Sequence, residues 1–256
     1  AFAANSSRQA RSSRSRRTSA TSAGTSVERT TAASYCCPVG GSIAALARAA
    51  EDPTARAVVI DSSGRVFCSG ADLAEATGDG MATSARQIVA VQRAIVAHPK
   101  PVVAVVAGPV RAGGLGIVAA SDLALVAEEA TFALTEVKLG LAAAVISLTV
   151  HHRMAPRAAA LTTLGGAVFG GRAAVDYGLA TKAVPAAQLG EEVRALCAEL
   201  VTGSPQGLRE SKALLNRDLL ARFDERGADV AELSAHLFAS PEAQAAMAAF
   251  LGRGAV

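Results

Sequence analysis

The stretch at residues 102–106 reads VVAVV and carries no polar side chain. Strands with one face in water alternate apolar and polar residues, whereas strands covered on both faces are apolar throughout. This valine run follows the breaker Pro-Lys-Pro at 99–101, so it predicts a central strand of a mostly parallel sheet with helices against both faces. The run AVVI at 57–60 predicts a second strand of the same kind.

Helical patterns separate these strands along the chain. Apolar residues at helical spacing begin at Ser42 and stop before Pro53, and a second helical pattern covers 84–97. A third helix is predicted over GLGIVAASD at 114–122, and two short strands are predicted on either side of the Glu-Glu-Ala turn at 128–130. The alternation of strand and helix predicts an α/β fold.

The C-terminal third differs from the rest of the chain because strand patterns largely vanish beyond residue 150. Helices are predicted at 155–164, 171–177, 186–202, 206–221, 227–238 and 241–251. We therefore divide the chain into an atypical Ser/Arg-rich segment (1–41), an α/β core (42–195) and a helical C-terminal region (196–256).

The first 40 or so residues contain no Leu, Ile or Met and are dominated by Ser, Thr, Ala and Arg. A segment of this composition cannot bury enough apolar surface to fold, so it is predicted to be disordered. It is interpreted as a divergent or out-of-frame leader. A transit peptide and a basic arm are the alternatives.

Composition excludes several classes of function. The 51% of hydrophobic residues is ample for a core, and no apolar run approaches the ~18 residues of a membrane span. The net charge of +3 is small and its basic excess lies mostly in the leader, so nucleic acid is not implied. The four cysteines lack metal-ligand spacing, which favours the reducing cytoplasm. The excess of Arg and Ala indicates a GC-rich bacterial genome.

Two strand-to-helix corners contain the residues best suited to chemistry, SGAD at 69–72 and AGGLG at 112–116. Backbone N–H groups in the first turn of a helix have no partner inside the helix and carry the positive end of its dipole. The two corners together would form an oxyanion hole for a carbonyl oxygen that gains negative charge. Neither the dinucleotide fingerprint GxGxxG nor a GxxxxGK[ST] loop is present.

Three motifs in order carry a family resemblance: FCSGADL at 67–73, GPVRAGGLGIVAASDLALVAEEATFALTEVKLGL at 108–141, and SPEAQAAMAAFLGR at 240–253. Over roughly 42–253 the chain resembles the enoyl-CoA hydratase/isomerase (crotonase) superfamily. The resemblance implies a spiral of ββα units and a helical C-terminal part that forms trimers or dimers of trimers. It also implies coenzyme A thioesters of fatty-acid metabolism as substrates, with no metal or redox cofactor.

The resemblance also assigns the site. It implies that the N–H groups of Ala71 and Gly113 hold the thioester oxygen and that Glu136 transfers the proton. Family hydratases carry a second glutamate where this chain has Gly116, which is its most informative departure from the pattern. The remaining substrate-binding residues implied by the motifs are Cys68, Gly70, Asp72, Leu73, Gly114 and Gly116.

Three functions remain open from the sequence. The first is an enoyl-CoA hydratase, the second a Δ3–Δ2-enoyl-CoA isomerase that uses Glu136 alone, and the third a catalytically silent acyl-CoA-binding protein. A rival from another class is an RNA or acidic-surface binder that uses the arginines of the leader. Read without its motif, Glu136 would be a surface carboxylate paired with Lys138, and Asp122 is interpreted as structural.

Overall fold

The computed structural model of the protein describes residues 26–32, 39–70 and 80–253. Its strands are β1 (Ser26–Ala32), β2 (Ala55–Ser62), β3 (Val102–Val106), β4 (Val110–Arg111), β5 (Leu123–Ala127), β6 (Thr131–Ala133), β7 (Phe169–Gly170) and β8 (Lys182–Val184). Its helices are α1 (Val39–Glu51), α2 (Gly80–Val96), α3 (Gly113–Ala120), α4 (Ala144–Arg153), α5 (Pro156–Gly165), α6 (Gly171–Asp176), α7 (Ala186–Leu200), α8 (Pro205–Ala239) and α9 (Pro241–Arg253). A short 3₁₀ helix covers Glu136–Leu139.

The larger sheet is parallel throughout and has the strand order β1-β2-β3-β5-β8. All five residues of β3 are buried, and Val58 of β2 lies beside Val102 of β3 in the register. Both strands belong to the main apolar core, together with residues from the surrounding helices. The α/β fold with a central parallel sheet, predicted from the valine runs, is confirmed.

A smaller sheet has the order β4-β6-β7. Strands β4 and β6 are parallel, whereas β6 and β7 are antiparallel. The rings of Phe132 on β6 and Phe169 on β7 stack with centroids 5.5 Å apart, and both residues are buried. Strand β7 has two residues and β8 has three, which is too short to produce a periodic signal in the sequence.

The prediction that the first 40 residues lack ordered structure is wrong for Ser26–Ala32. This segment forms β1, which pairs in parallel with β2 from Ser26 beside Ala55 to Ala32 beside Ser62. Composition measures the side-chain surface that a segment can bury, but it does not register the backbone hydrogen bonds that an added edge strand makes to a neighbour. Residues 1–25 and 33–38 lie outside the described part of the chain.

The prediction of two helices at 206–221 and 227–238 is also wrong, because α8 is continuous over 35 residues. The intervening sequence RFDER at 222–226 contains no helix breaker. Gly227 instead marks a close approach to α2, since a side chain there would begin 3.3 Å from Cγ1 of Val89. The glycine therefore allows helix packing and does not end the helix.

A buried ion pair anchors α8 to the sheet. Nζ of Lys212 lies 2.7 Å from Oδ2 of Asp122 and also donates hydrogen bonds to two backbone carbonyls. Asp122 accepts hydrogen bonds from the backbone N–H of Val102 at 2.7 Å and from the side-chain amide of Asn216 at 3.1 Å. Asp122 thus has the structural role interpreted from the sequence.

The last helix, α9, covers the 3₁₀ helix. Met81, Leu141, Ala243 and Met247 form a small apolar cluster that is separate from the main core. A side chain at Gly140 would begin 3.3 Å from the backbone of Ala243, so α9 lies directly against the turn that ends the 3₁₀ helix. Within residues 39–70 and 80–253, no helix has the length and apolarity needed to cross a membrane.

Candidate active site

Three neighbouring extended segments run in the same direction, so their carboxyl ends lie at the same end of the smaller sheet. Cys68 forms a parallel bridge with Val110 of β4, and β4 pairs in parallel with β6. The chain that follows Cys68, the corner at Ala112 and Gly113, and the turn that contains Glu136 come directly after these three segments. Gly70, the corner at Ala112 and the turn that contains Glu136 therefore follow the carboxyl ends of neighbouring parallel segments, which is where open α/β folds place ligands.

The corner after β4 has an unusual backbone. Ala112 adopts φ 45° and ψ −124° and is the one described non-glycine residue with a positive φ. Conformations of this kind cost free energy and concentrate at functional sites. The turn starts α3 at Gly113, where first-turn N–H groups have no intrahelical acceptor and carry the positive end of the helix dipole.

The glycines of this corner also allow close packing. A side chain at Gly113 would begin 3.2 Å from Cδ1 of Ile88, and one at Gly114 would begin 2.6 Å from Cβ of Cys68. Gly114 and Gly116 are buried. Their assignment to substrate binding remains a prediction, whereas their role in bringing α3 against its neighbours is clear from these distances.

Gly70 brings the first corner against the second. It adopts φ 96°, and a side chain there would begin 2.9 Å from Cβ of Ala112. The predicted oxyanion donor Ala71 and the predicted substrate-binding residues Asp72 and Leu73 lie at 71–79, outside the described residues. The N–H of Ala71 therefore remains a prediction, although its chain neighbour Gly70 is in place.

Gly70→Ala is expected to lower the free energy of unfolding by about 1–3 kcal/mol, because the new methyl group enforces a strained φ and meets Ala112. Adding Ala112→Gly removes the steric contact and relaxes the second strained residue, so the double variant should recover part of the loss. Urea unfolding of the three proteins measures both effects. Equal midpoints for Gly70→Ala and the wild type would show that this contact is unimportant.

Glu136 is the first residue of the 3₁₀ helix, and its carboxylate is largely removed from water. Its Oε2 atom is buried and accepts no hydrogen bond from the described residues. Desolvation raises the pKa of Glu136 above its ordinary value, because burial disfavours the charged form. Among the described residues there is no ion pair between Glu136 and Lys138, which contradicts the alternative of a surface pair. A carboxyl group with a raised pKa and one buried, unpartnered oxygen is suited to exchanging a proton.

The space beside Gly116 is occupied by a buried polar pair that the sequence interpretation missed. A side chain at Gly116 would begin 2.6 Å from Oε1 of Gln92 and 2.6 Å from Cγ2 of Ile146. Gln92 and Thr149 are fully buried, and the Thr149 hydroxyl donates to Oε1 of Gln92 at 2.7 Å. One signal was available, since Gln92 falls at helical spacing from Ile88 on the apolar face of α2.

Comparison with known proteins gives consistent matches. Residues 41–255 match the family model described as enoyl-CoA hydratase/isomerase. A crystal structure of an enoyl-CoA hydratase from Mycobacterium avium is 42% identical, with a TM-score of 0.79 over 84% of each chain.

Two curated relatives match a smaller share. The enoyl-CoA hydratase domain-containing protein 3 of Rattus norvegicus, described as mitochondrial, is 31% identical over 66% of this chain and 58% of its own length. The hydroxycinnamoyl-CoA hydratase-lyase of Pseudomonas fluorescens is 30% identical over 63% of this chain and 62% of its own length. The chain thus spans about three fifths of the length of these two proteins.

Proposed function

Since this chain belongs to the enoyl-CoA hydratase/isomerase family, we propose that it hydrates 2-enoyl-CoA thioesters through a stabilised thioester enolate. The observation that supports this proposal most directly is the buried carboxylate of Glu136, which has an unpartnered Oε2 and follows the strand beside the Gly113 corner. A group of this kind transfers protons efficiently when its pKa is raised toward the working pH. The comparisons support an enzyme of this family, and they leave both the choice between hydratase and isomerase and the acyl group open.

The proposed reaction balances with one carboxylate. Glu136 takes a proton from water as the water oxygen bonds to C3 of the enoyl thioester. The C2–C3 π electrons move toward the thioester, and the resulting enolate oxygen is held by the N–H of Gly113 and the N–H proposed at Ala71. Glu136 then returns the proton to C2 on the same face, which makes the addition syn. One oxyanion donor of this type contributes about 3–4 kcal/mol to the stability of the transition state.

The isomerase is a second candidate, and the filled space at Gly116 favours it. The position at which family hydratases carry a second glutamate is closed here by Gln92 and Ile146. In this reaction Glu136 removes a proton from C2 of a 3-enoyl-CoA, the dienolate is held at the same oxyanion donors, and the proton returns at C4. Neither candidate uses a metal or a redox cofactor.

Incubation with 2-enoyl-CoA and with 3-enoyl-CoA in water enriched in ¹⁸O distinguishes the candidates. We expect the label to enter the product at C3 from the 2-enoyl thioester. Migration of the double bond from the 3-enoyl thioester, without uptake of label, would overturn the hydratase in favour of the isomerase. Stoichiometric binding of both thioesters without conversion would leave a silent acyl-CoA-binding protein.

A homotrimer or a dimer of trimers in the cytoplasm completes the proposal. Support for self-association comes from exposed apolar residues on and after α5, where Leu161, Leu164 and Val168 are 61%, 75% and 60% exposed. Apolar side chains that lie this close together on a surface are typical of an interface. Sedimentation equilibrium measures the mass of the assembly, and a monomer at micromolar concentration would contradict the proposal.

A further inference from the structure

The carboxamide of Gln92 makes three hydrogen bonds inside the core. Its Nε2 donates to the carbonyl of Ile88 at 3.0 Å on its own helix and to the carbonyl of Val145 at 2.8 Å in the first turn of α4. Its Oε1 accepts from the Thr149 hydroxyl, one turn further along α4. Gln92 therefore connects α2 to α4 by directional bonds at both ends of one amide group.

Helix α3 lies directly against this connection. Gly116 has no side chain to separate its backbone from Oε1 of Gln92, and Gly113 packs against Ile88, one turn earlier on α2. Ile88 and Gln92, which lie on the same face of α2, thus support the two ends of the first turn of α3. Because three hydrogen bonds hold the carboxamide of Gln92, this group cannot tilt or shift without breaking one of them.

We propose that Gln92 and Thr149 are positioning residues. They hold the first turn of α3 through the contact at Gly116, and they thereby set the position and direction of the Gly113 N–H. This inference rests on the proposed function, in which that N–H binds the thioester oxygen. The pair does not touch the substrate and acts through the backbone of α3. An apolar pair of the same volume would fill the space, but it would not hold α3 in a single position relative to α2 and α4, since packing is less directional than hydrogen bonding.

Thr149→Val tests the inference, because valine has nearly the same shape and lacks the hydroxyl. The probe is cinnamoyl-CoA, a conjugated thioester whose ultraviolet absorption moves to longer wavelength when its carbonyl is polarised. We expect Thr149→Val to reduce this red shift and to lower kcat about 10-fold, less than the ~10²-fold or more that follows loss of a whole oxyanion donor. The KM should change by less than about 3-fold, because a group that acts on the transition state affects mainly kcat.

Two controls separate positioning from stability. Thr149→Ser retains the hydroxyl and should restore most of the red shift. Thr162→Val removes an equally buried hydroxyl from α5, where it donates to the carbonyl of Ala158 at 2.8 Å, and should leave the red shift unchanged even where it lowers the unfolding midpoint. Gln92→Leu should reduce the red shift at least as much as Thr149→Val.

The outcomes discriminate between this inference and the proposed function. If Thr149→Val binds the probe with the full wild-type red shift and has the wild-type kcat, the positioning role is overturned. If the wild type shifts the probe but converts neither enoyl-CoA isomer, the proposed catalysis fails and the positioning role is decided by the red shift of the variants alone. If the wild type binds the probe and leaves its spectrum unchanged, both proposals are overturned.

Discussion

Replacing Glu136 by glutamine is expected to lower kcat by ~10² to 10⁴-fold on whichever enoyl-CoA isomer the wild type converts, because a carboxamide cannot carry the proton. The same change should raise the free energy of unfolding at neutral pH by about 1–3 kcal/mol, since it removes a partly buried charge whose Oε2 atom has no hydrogen-bond partner. Steady-state kinetics and urea unfolding measure the two effects. A decrease in kcat together with an increase in the free energy of unfolding would indicate that Glu136 serves activity at the expense of stability.

The pH dependence follows from the same burial. The pKa of Glu136 is raised in the folded protein, so the folded state binds more protons than the unfolded state between the two pKa values. The stability of the wild type relative to Glu136→Gln should therefore fall as the pH rises from about 4.5, the ordinary glutamate value, through the raised pKa. The activity of the wild type should rise through the same pKa, because the base must be ionised.

The matched control is Glu191→Gln, the same substitution at an exposed residue of α7. It should change neither kcat nor the pH dependence of unfolding. Equal losses of activity in the two glutamine variants, or a Glu136→Gln protein that keeps more than about a tenth of the wild-type kcat, would contradict the assignment of Glu136 as the proton carrier.

Disruption of the buried ion pair is expected to produce the largest loss of stability. Lys212→Met removes the ion-pair partner of Asp122, whose side chain is only 17% exposed, and should lower the free energy of unfolding by about 3–5 kcal/mol. Desolvation lowers the pKa of Lys212, and the nearby carboxylate of Asp122 opposes this shift. The double variant Asp122→Asn with Lys212→Met should lose less than the sum of the two single variants.

An exposed ion pair that also involves α8 provides the comparison. Arg93 on α2 and Asp224 on α8 are 2.8 Å apart, and their side chains are 48% and 59% exposed. Asp224→Asn should lower the free energy of unfolding by less than about 1 kcal/mol, because water screens this pair. Chemical unfolding of the wild type and of these four variants measures the losses of stability. Equal losses for Lys212→Met and Asp224→Asn would contradict the dependence on burial.

The fold was predictable where a short pattern determines the local structure. A run of valines can be stable only where both faces are covered, so VVAVV at 102–106 led to the central strand. The glycine corner at 112–116 could be placed for a similar reason, because its glycines precede an apolar helix. In both cases the physical cause lies within a few neighbouring residues.

Features that depend on distant partners were not predictable. Strand β1 exists through its pairing with β2, and Ala112 packs where Gly70, 42 positions earlier in the chain, has no side chain. The burial of Gln92 depends on Thr149, which is 57 positions away. Glu136 was assigned through its motif, since its burial and missing partner arise from the folding of later helices over the turn.

The packing of α9 against Gly140 has a consequence for synthesis on the ribosome. The turn that presents Glu136 is braced by Ala243 and Met247, which are translated long after it. A nascent chain can form the central sheet while this brace is still inside the exit tunnel. The turn that carries Glu136 therefore acquires its support from α9 only after residues 241–253 have emerged.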